Sequence, residues 1–153
     1  MSEVQCSIEA TLRTVGDRWT LLILRDIFRG IKRFENIQKD LGIARNLLSK
    51  RLQHLVDNKV VERFLYQEKP NRYEYRLTSK GRALSPSLIA LMQWGDEWCS
   101  LEEPPVMLIH ENCGSPLTHS VQCENCNRDV KPGEIRSLTK NFSKSNLEVL
   151  NAK

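Results

Sequence analysis

A chain of 153 residues has room for one well-buried domain and a small appendage, and two full domains are not expected. With 40% hydrophobic and 27% charged residues it has the composition of a packed globular protein, which excludes the fibrous and disordered classes. The net charge of +4 is uneven: residues 1–100 hold 17 Lys/Arg against 12 Asp/Glu, whereas residues 101–153 hold 6 against 7, so the first part permits an anionic partner without demanding one.

Ser7 is placed to cap a first helix whose Ile8, Leu12 and Val15 recur on one face and which Gly16 closes. Asp17 caps a second, with Trp19, Leu22, Ile23 and Ile27 as its apolar stripe and Gly30 at its end. Phe34, Ile37 and Leu41 put a third helix at 33–41, and Gly42 breaks the chain before a fourth from Ala44 to Asn58. Two short helices around a glycine turn make a helix-turn-helix pattern. In the fourth helix Leu48, Leu52, Leu55 and Val56 face one way, so Arg45, Asn46, Ser49, Lys50 and Gln53 face the other.

After Asn58 the text becomes β-rich: Val60–Tyr66 and Tyr73–Leu77 read as strands, with Gln67–Arg72 as a basic, polar turn around Pro70-Asn71. Thr78 then caps a long last helix in which Leu84, Leu88, Leu91, Gly95 and Trp98 follow the roughly 3.5-residue period of a helix that packs on another helix. Pro86 either bends that helix or marks its true start. Glu102-Glu103-Pro104-Pro105 is a stiff, acidic break. The expected architecture is mainly α with a small β wing: a winged helix-turn-helix domain over 6–100, a small appendage over 106–135 and a poorly defined tail over 136–153.

That layout has a direct physical logic for duplex DNA, because a helix fits the major groove and cations on flanking loops neutralise phosphates. Asn46 and Gln53 can each donate and accept toward adenine, Arg45 and Lys50 suit guanine or phosphate, and Ser49 suits either. Lys69, Asn71 and Arg72 on the wing would meet phosphates or an adjacent minor groove. The competing reading is that the Arg45–Gln53 face is only the solvated side of an amphipathic helix. The hairpin and the helix-turn-helix beside it favour DNA.

Several blocks carry a resemblance to a known family: Cys6-Ser7-Ile8, Val15-Gly16-Asp17-Arg18-Trp19-Thr20-Leu21-Leu22-Ile23-Leu24-Arg25-Asp26, Arg33-Phe34, Leu41-Gly42-Ile43, Leu47-Leu48-Ser49-Lys50-Arg51-Leu52, Leu77-Thr78-Ser79-Lys80-Gly81-Arg82 and Gln93-Trp94-Gly95. Over residues 6–98 the chain resembles the HxlR-type regulators, relatives of the MarR group. The resemblance implies a homodimer built by the N- and C-terminal helices of the main domain, binding a pseudo-palindromic operator and usually repressing a nearby gene. The Leu84–Trp98 seam independently asks for a partner helix. Some family members sense oxidants or electrophiles through a cysteine near the N-terminus that is usually followed by Pro; Cys6 holds that position, but Ser7 follows it. A helix N-terminus favours the thiolate, while an inert packed thiol is the plainer reading of a single cysteine.

Five cysteines in a chain without an apolar run of about 18 residues, and with no basic or apolar start in Met1-Ser2-Glu3-Val4-Gln5, point to a cytoplasmic protein with thiols or metal ligands rather than disulfides, and to no membrane contact. His110-Glu111-Asn112-Cys113-Gly114 and Cys123-Glu124-Asn125-Cys126-Asn127 match the two knuckles of a zinc ribbon. Gly114 and Asn127 are residue types that tolerate a left-handed turn after each ligand pair. His110, Cys113, Cys123 and Cys126 would hold one structural zinc ion, with His119 as a substitute for His110; the alternatives are a vestigial hairpin without metal or a Cys123/Cys126 dithiol. A deaminase-type zinc site fits poorly, because its His-x-Glu and Pro-Cys signatures are missing. Trp19, Trp94 and Trp98 read as core or dimer seam. No Ser/His/Asp set, phosphate-cradling glycine loop or paired carboxylates stand out, so no catalytic residue is expected. A protein-interaction module on a winged helix scaffold is the rival to a DNA-binding regulator, and neither reading names a small-molecule effector.

Overall fold

The structure is a computed structural model that describes residues 6–99 and 102–137. Four helices come first: α1 Ser7–Val15, α2 Arg18–Phe28, α3 Phe34–Leu41 and α4 Arg45–Asp57. Then follow the antiparallel strands β1 Val61–Glu68 and β2 Asn71–Leu77, a short α5 Ser79–Arg82 and α6 Ser85–Trp98. This is a winged helix-turn-helix fold, mainly helical with one two-stranded sheet. No helix among the described residues is long and apolar enough to cross a membrane.

The core forms where the apolar stripes of α2 and α4 meet. Ile23, Leu24 and Ile27 of α2 pack with Leu48, Leu52 and Leu55 of α4, and Ile37 of α3, Ile43 of the turn and Val60, Val61 and Leu77 at the hairpin base close the cluster. Each of these twelve residues, Val15 of α1 included, is at most 9% exposed. Burying a side chain of this size is worth about 1.5–3 kcal/mol, so this cluster fixes the angle between α3 and α4.

Local signals set the joints. Asp17 is extended and accepts hydrogen bonds from the Trp19 and Thr20 N–H groups, satisfying donors that the first turn of α2 leaves over. Gly42 lies at φ 61, the left-handed conformation that turns α3 into α4. At the foot of the hairpin Gly81 lies so close to the Val60 carbonyl that a Cβ would collide with it.

Some details differ from the sequence reading. Cys6, not Ser7, is the residue before α1, and it makes no side-chain cap. The hairpin is tighter than expected: Glu68 pairs with Asn71 and Gln67 with Arg72, so only Lys69 and Pro70 form the loop, and the polarity of 67–72 reflects an exposed ladder rather than a turn. Thr78 caps α5 alone through Gly81 N–H, and α6 starts separately with Pro86 in its first turn, where a missing N–H costs nothing. Leu84 therefore precedes α6 instead of opening a long seam. The last helix buries none of its residues, and Leu91, Trp94 and Trp98 are 54%, 59% and 64% exposed. Trp94 and Trp98 thus take no part in the core of the chain, whereas Trp19 packs against it.

One tie has no counterpart in the sequence reading. Tyr75 N–H donates to the Lys32 carbonyl at 2.7 Å, and Arg33 bridges to Glu74, so the residues before α3 form a strand-like rung on β2. The wing is thereby fastened to the start of the helix-turn-helix.

The chain divides into two compact units between His119 and Ser120. The first knuckle, expected within an appendage over 106–135, thus belongs to the same unit as the winged region. Gln93 of α6 holds it there: its Nε2 donates to the Leu117 carbonyl at 2.7 Å, and its Oε1 accepts from the His119 N–H at 3.0 Å.

Candidate nucleic-acid interface

The buried stripe of α4 dictates its outward face. With Leu48, Leu52 and Leu55 locked in the core, Arg45, Asn46, Ser49, Lys50 and Gln53 are all exposed and lie together on the opposite side. Arg51, between the two faces, sits 3.2 Å from Asp17, which ties α4 to the cap of α2. Gln53 is not idle: its Nε2 donates to Asp57 Oδ1 at 2.7 Å, so its amide must leave that partner to reach a base. Asn46 has no such bond among the described residues.

On the wing, Lys69 stands in the loop and Asn71 and Arg72 open β2, all three exposed. Between wing, α3 and α4 runs a trough of about 670 Å³ whose charged lining is Arg33, Arg45, Arg63 and Arg72 against Glu35. Arg45 and Arg72 were expected in the interface; Arg33 and Arg63 were not. Arg33 stacks over Tyr66 at 4.4 Å, Arg45 over Phe34 at 5.0 Å and Arg63 over Tyr73 at 3.9 Å. Tyr75 also lines the trough, and burial pushes its hydroxyl above the usual range, against the pull of Arg63. It stays a neutral donor there.

Asp26 is the one carboxylate among the described residues that is buried in the core. Its side chain is fully buried, Arg25 donates to it from Nε at 3.0 Å and Nη2 at 2.6 Å, and Arg25 also reaches Asp40 of α3 at 3.0 Å. Desolvation raises its pKa despite Arg25. The group braces α2 against α3 and lies outside the interface.

The two knuckles repeat one hydrogen-bond pattern. His110 N–H donates to Ser115 O and Gly114 N–H returns to His110 O, while Cys123 N–H donates to Arg128 O and Asn127 N–H returns to Cys123 O. Outside them Leu117 pairs with Leu108 and Val130 with Val121 in the same way. Gly114 at φ 71 and Asn127 at φ 51 make the left-handed turns that their residue types suggested. His110 Nδ1 lies 3.2 Å from Cys113 Sγ, whereas His119 Nδ1 is turned to Gln93 Oε1 at 2.6 Å. Hydrogen bonds from Ser115 lower the Cys113 pKa, and backbone N–H groups of Cys126 and Asn125 lower that of Cys123. Each loop by itself presents two donors of the kind zinc takes. Among the described residues no group of three or more His, Cys, Asp or Glu side chains stands together in a metal-binding arrangement. Cys6 and Cys99 are both exposed within the chain.

Comparison with known proteins agrees with this architecture. The HxlR-like helix-turn-helix family pattern matches residues 14–103. Mb3122 of Mycobacterium bovis, named as an uncharacterised HTH-type transcriptional regulator, is 43% identical over 81% of this chain and 79% of its own length. The crystal structure of PA1607 superposes with a TM-score of 0.79 at 36% identity, covering 90% of this chain and 97% of that one. The oxidised form of the redox regulator HypR superposes with a TM-score of 0.58 at 28% identity over 63% of this chain and all of that one, 100%. The chain belongs to the HxlR-like helix-turn-helix family and is a transcriptional regulator.

Proposed function

We propose that the protein binds a pseudo-palindromic operator as a homodimer and represses the gene it controls. Asn46, Ser49 and Lys50 read base edges, Arg45 and Gln53 flank them, and Lys69, Asn71 and Arg72 hold the backbone. The observation that carries this reading is the exposed polar stripe of α4, set opposite Leu48, Leu52 and Leu55 and away from every ion pair of the core. For the dimer, the support is the uncovered apolar surface of α1 and α6, where Ile8 is 70%, Leu12 56% and Trp98 64% exposed.

The test uses an operator selected from a random duplex pool by the parent protein. Asn46→Ala should lose about 1–3 kcal/mol on the operator with little change on random-sequence DNA. Gln53→Ala should lose less, because Gln53 gives up Asp57 before it can bind a base. Binding of the operator by Asn46→Ala with parental affinity would refute the groove assignment; failure of the parent to select any duplex would favour the protein-interaction reading.

A second reading concerns the signal. Cys6 is exposed at the start of α1, and the likeness to a redox regulator supports thiol sensing there. Alkylation of Cys6 faster than Cys99, with loss of operator binding on oxidation, is the expected result; slower alkylation of Cys6 removes the idea. For the tail, zinc is supported by the loop geometry of each knuckle on its own, with His110, Cys113, Cys123 and Cys126 as the ligands and a purely structural role for the ion.

A further inference from the structure

We propose that the trough between the wing and the helix-turn-helix is a clamp for the sugar-phosphate backbone of duplex DNA, with Arg33 and Arg63 as its positioning residues. This rests on the DNA-binding reading above and extends it to two residues outside the α4 face and the wing tip.

Four arginines line the trough against a single carboxylate, and none of the four makes an ion pair among the described residues. Of the other arginines of α1 to β2, Arg13, Arg25, Arg29, Arg51 and Arg76 pair with carboxylates and Arg18, over the Trp19 ring, does not. The trough therefore concentrates positive charge that the protein does not neutralise itself. A cluster of like charge costs stability, and its persistence points to an anionic occupant.

The arginines are also held in place. The guanidinium carbons of Arg33, Arg45 and Arg63 lie over the rings of Tyr66, Phe34 and Tyr73, at 4.4, 5.0 and 3.9 Å from the centroids, and these contacts restrict the side chains. A guanidinium edge matches two phosphate oxygens at once. The walls are fixed as well, because the Tyr75 to Lys32 hydrogen bond and the backbone β-bridge between Arg33 and Glu74 join the hairpin to the start of α3. Arg33 is the residue before α3 and Arg45 opens α4, so two helix N-termini border the same space and add their positive ends to it. At about 670 Å³ the trough holds roughly twenty water volumes, room for a length of backbone rather than for one ion.

The occupant follows from position. The trough lies between Arg45, at the end of the reading face of α4, and Arg72 on the wing. A duplex with its major groove on α4 has one strand leaving toward the wing, and that strand's phosphates are the anions delivered to this space.

The experiment compares Arg33→Gln, Arg63→Gln, Arg63→Lys and a charge control, Arg13→Gln on α1, in titrations of the selected operator and of random-sequence duplex over a salt series. Circular dichroism checks that each variant folds; Arg33 and Arg63 are exposed and unpaired by carboxylates, so folding should be retained. Each Gln variant should weaken both duplexes by the same factor and lower the salt slope by about one per chain, and Arg63→Lys should keep the slope. Arg13→Gln should leave the slope unchanged. Parental slopes in both Gln variants, or an equal loss in Arg13→Gln, would overturn the clamp while leaving the α4 assignment standing. If the parent binds neither duplex, the DNA-binding reading itself fails and the clamp with it.

Discussion

Replacing Asp17 by Ala tests whether the joint between α2 and α4 carries the stability that its geometry implies. The carboxylate accepts the N–H groups of Trp19 at 3.1 Å and Thr20 at 3.3 Å, and it also accepts the Thr20 hydroxyl. Loss of such a cap costs about 1 kcal/mol. The Thr20 side chain is 0% exposed, so its hydroxyl would be stranded away from water, at a further cost of about 1–3 kcal/mol. The contact with Arg51 adds little. Both side chains are about one-third exposed, at 36% and 34%, and the Arg51 Nε–H is not aligned on the carboxylate, so solvent screening leaves at most about 1 kcal/mol. The total for Asp17→Ala is about 2–5 kcal/mol, a large share of the roughly 5–15 kcal/mol that a domain possesses. Asp17→Asn keeps an acceptor for the cap and for Thr20 and should lose about 1 kcal/mol or less. Urea unfolding followed by circular dichroism reads both values, with an unchanged m-value showing that the same surface is exposed. A loss below about 0.5 kcal/mol in Asp17→Ala, or equal losses in the two variants, would show that the cap and the buried hydroxyl are not what makes Asp17 stabilising.

Three further outcomes are expected. Burial raises the folded-state pKa of Asp26 above its ordinary value of 3.8, so its contribution is full below that pH and lost as pH rises through the folded value; urea unfolding should show Asp26→Asn gaining on the parent as pH rises above 3.8 and then levelling off, and a gain on acidification instead would reverse the argument. Trp94→Glu, at a position 59% exposed within the chain, should leave the helical spectrum intact and convert the protein to a monomer in sedimentation, with weaker operator binding; a parent that sediments as a monomer refutes the dimer. Protein purified without added zinc should carry about one zinc per chain, lost in Cys123→Ser without loss of operator binding, and a metal-free parent with reactive tail thiols would leave both knuckles as metal-free turns.

What the sequence makes legible follows from how local each signal is. The stripes of α2 and α4 are readable because each helix buries one face against near neighbours, so Ile23, Ile27, Leu48, Leu52 and Leu55 recur at helical spacing, although α2 buries Leu24 where the stripe suggests Leu22. Asp17, Gly42, Gly114 and Asn127 are readable because a cap or a left-handed turn needs those residue types at those positions. The hairpin loop reads as longer than it is for the converse reason: an exposed ladder accepts Gln67, Asn71 and Arg72 as readily as a turn does, and only the pairing decides. The division between α5 and α6 is visible in Pro86, but the periodic leucines argue for continuity. Arg33 escapes a sequence reading because its role depends on the rung it makes with Glu74, a contact between segments far apart in the chain. Arg63 leaves a faint trace. It shares a face of β1 with buried Val61 and stands opposite half-buried Tyr75, where an apolar residue would be the ordinary choice, yet it is itself exposed.

The scaffold and the reading surface are therefore carried by different residues, and that separation has a consequence for variants. Thr20, Gly81 and the α4 leucines serve folding: a methyl group at Gly81 would strike the Val60 carbonyl and spread the junction of α5 with β1. Arg45, Asn46, Ser49 and Lys50 are exposed and contribute to no pair that the core requires. Substitutions of the first kind should lower stability while leaving the preference among DNA sequences intact in whatever fraction remains folded. Substitutions of the second kind should change preference at constant stability. Arg51 is the exception that couples the two, since it stands on α4 between reading face and core and touches the cap of α2. Arg51→Ala should move both quantities in the same protein, through loosened seating of α4 rather than through a lost base contact, and Asp17→Asn, which breaks the same ion pair from the other side, should reproduce the part of that effect that is due to seating.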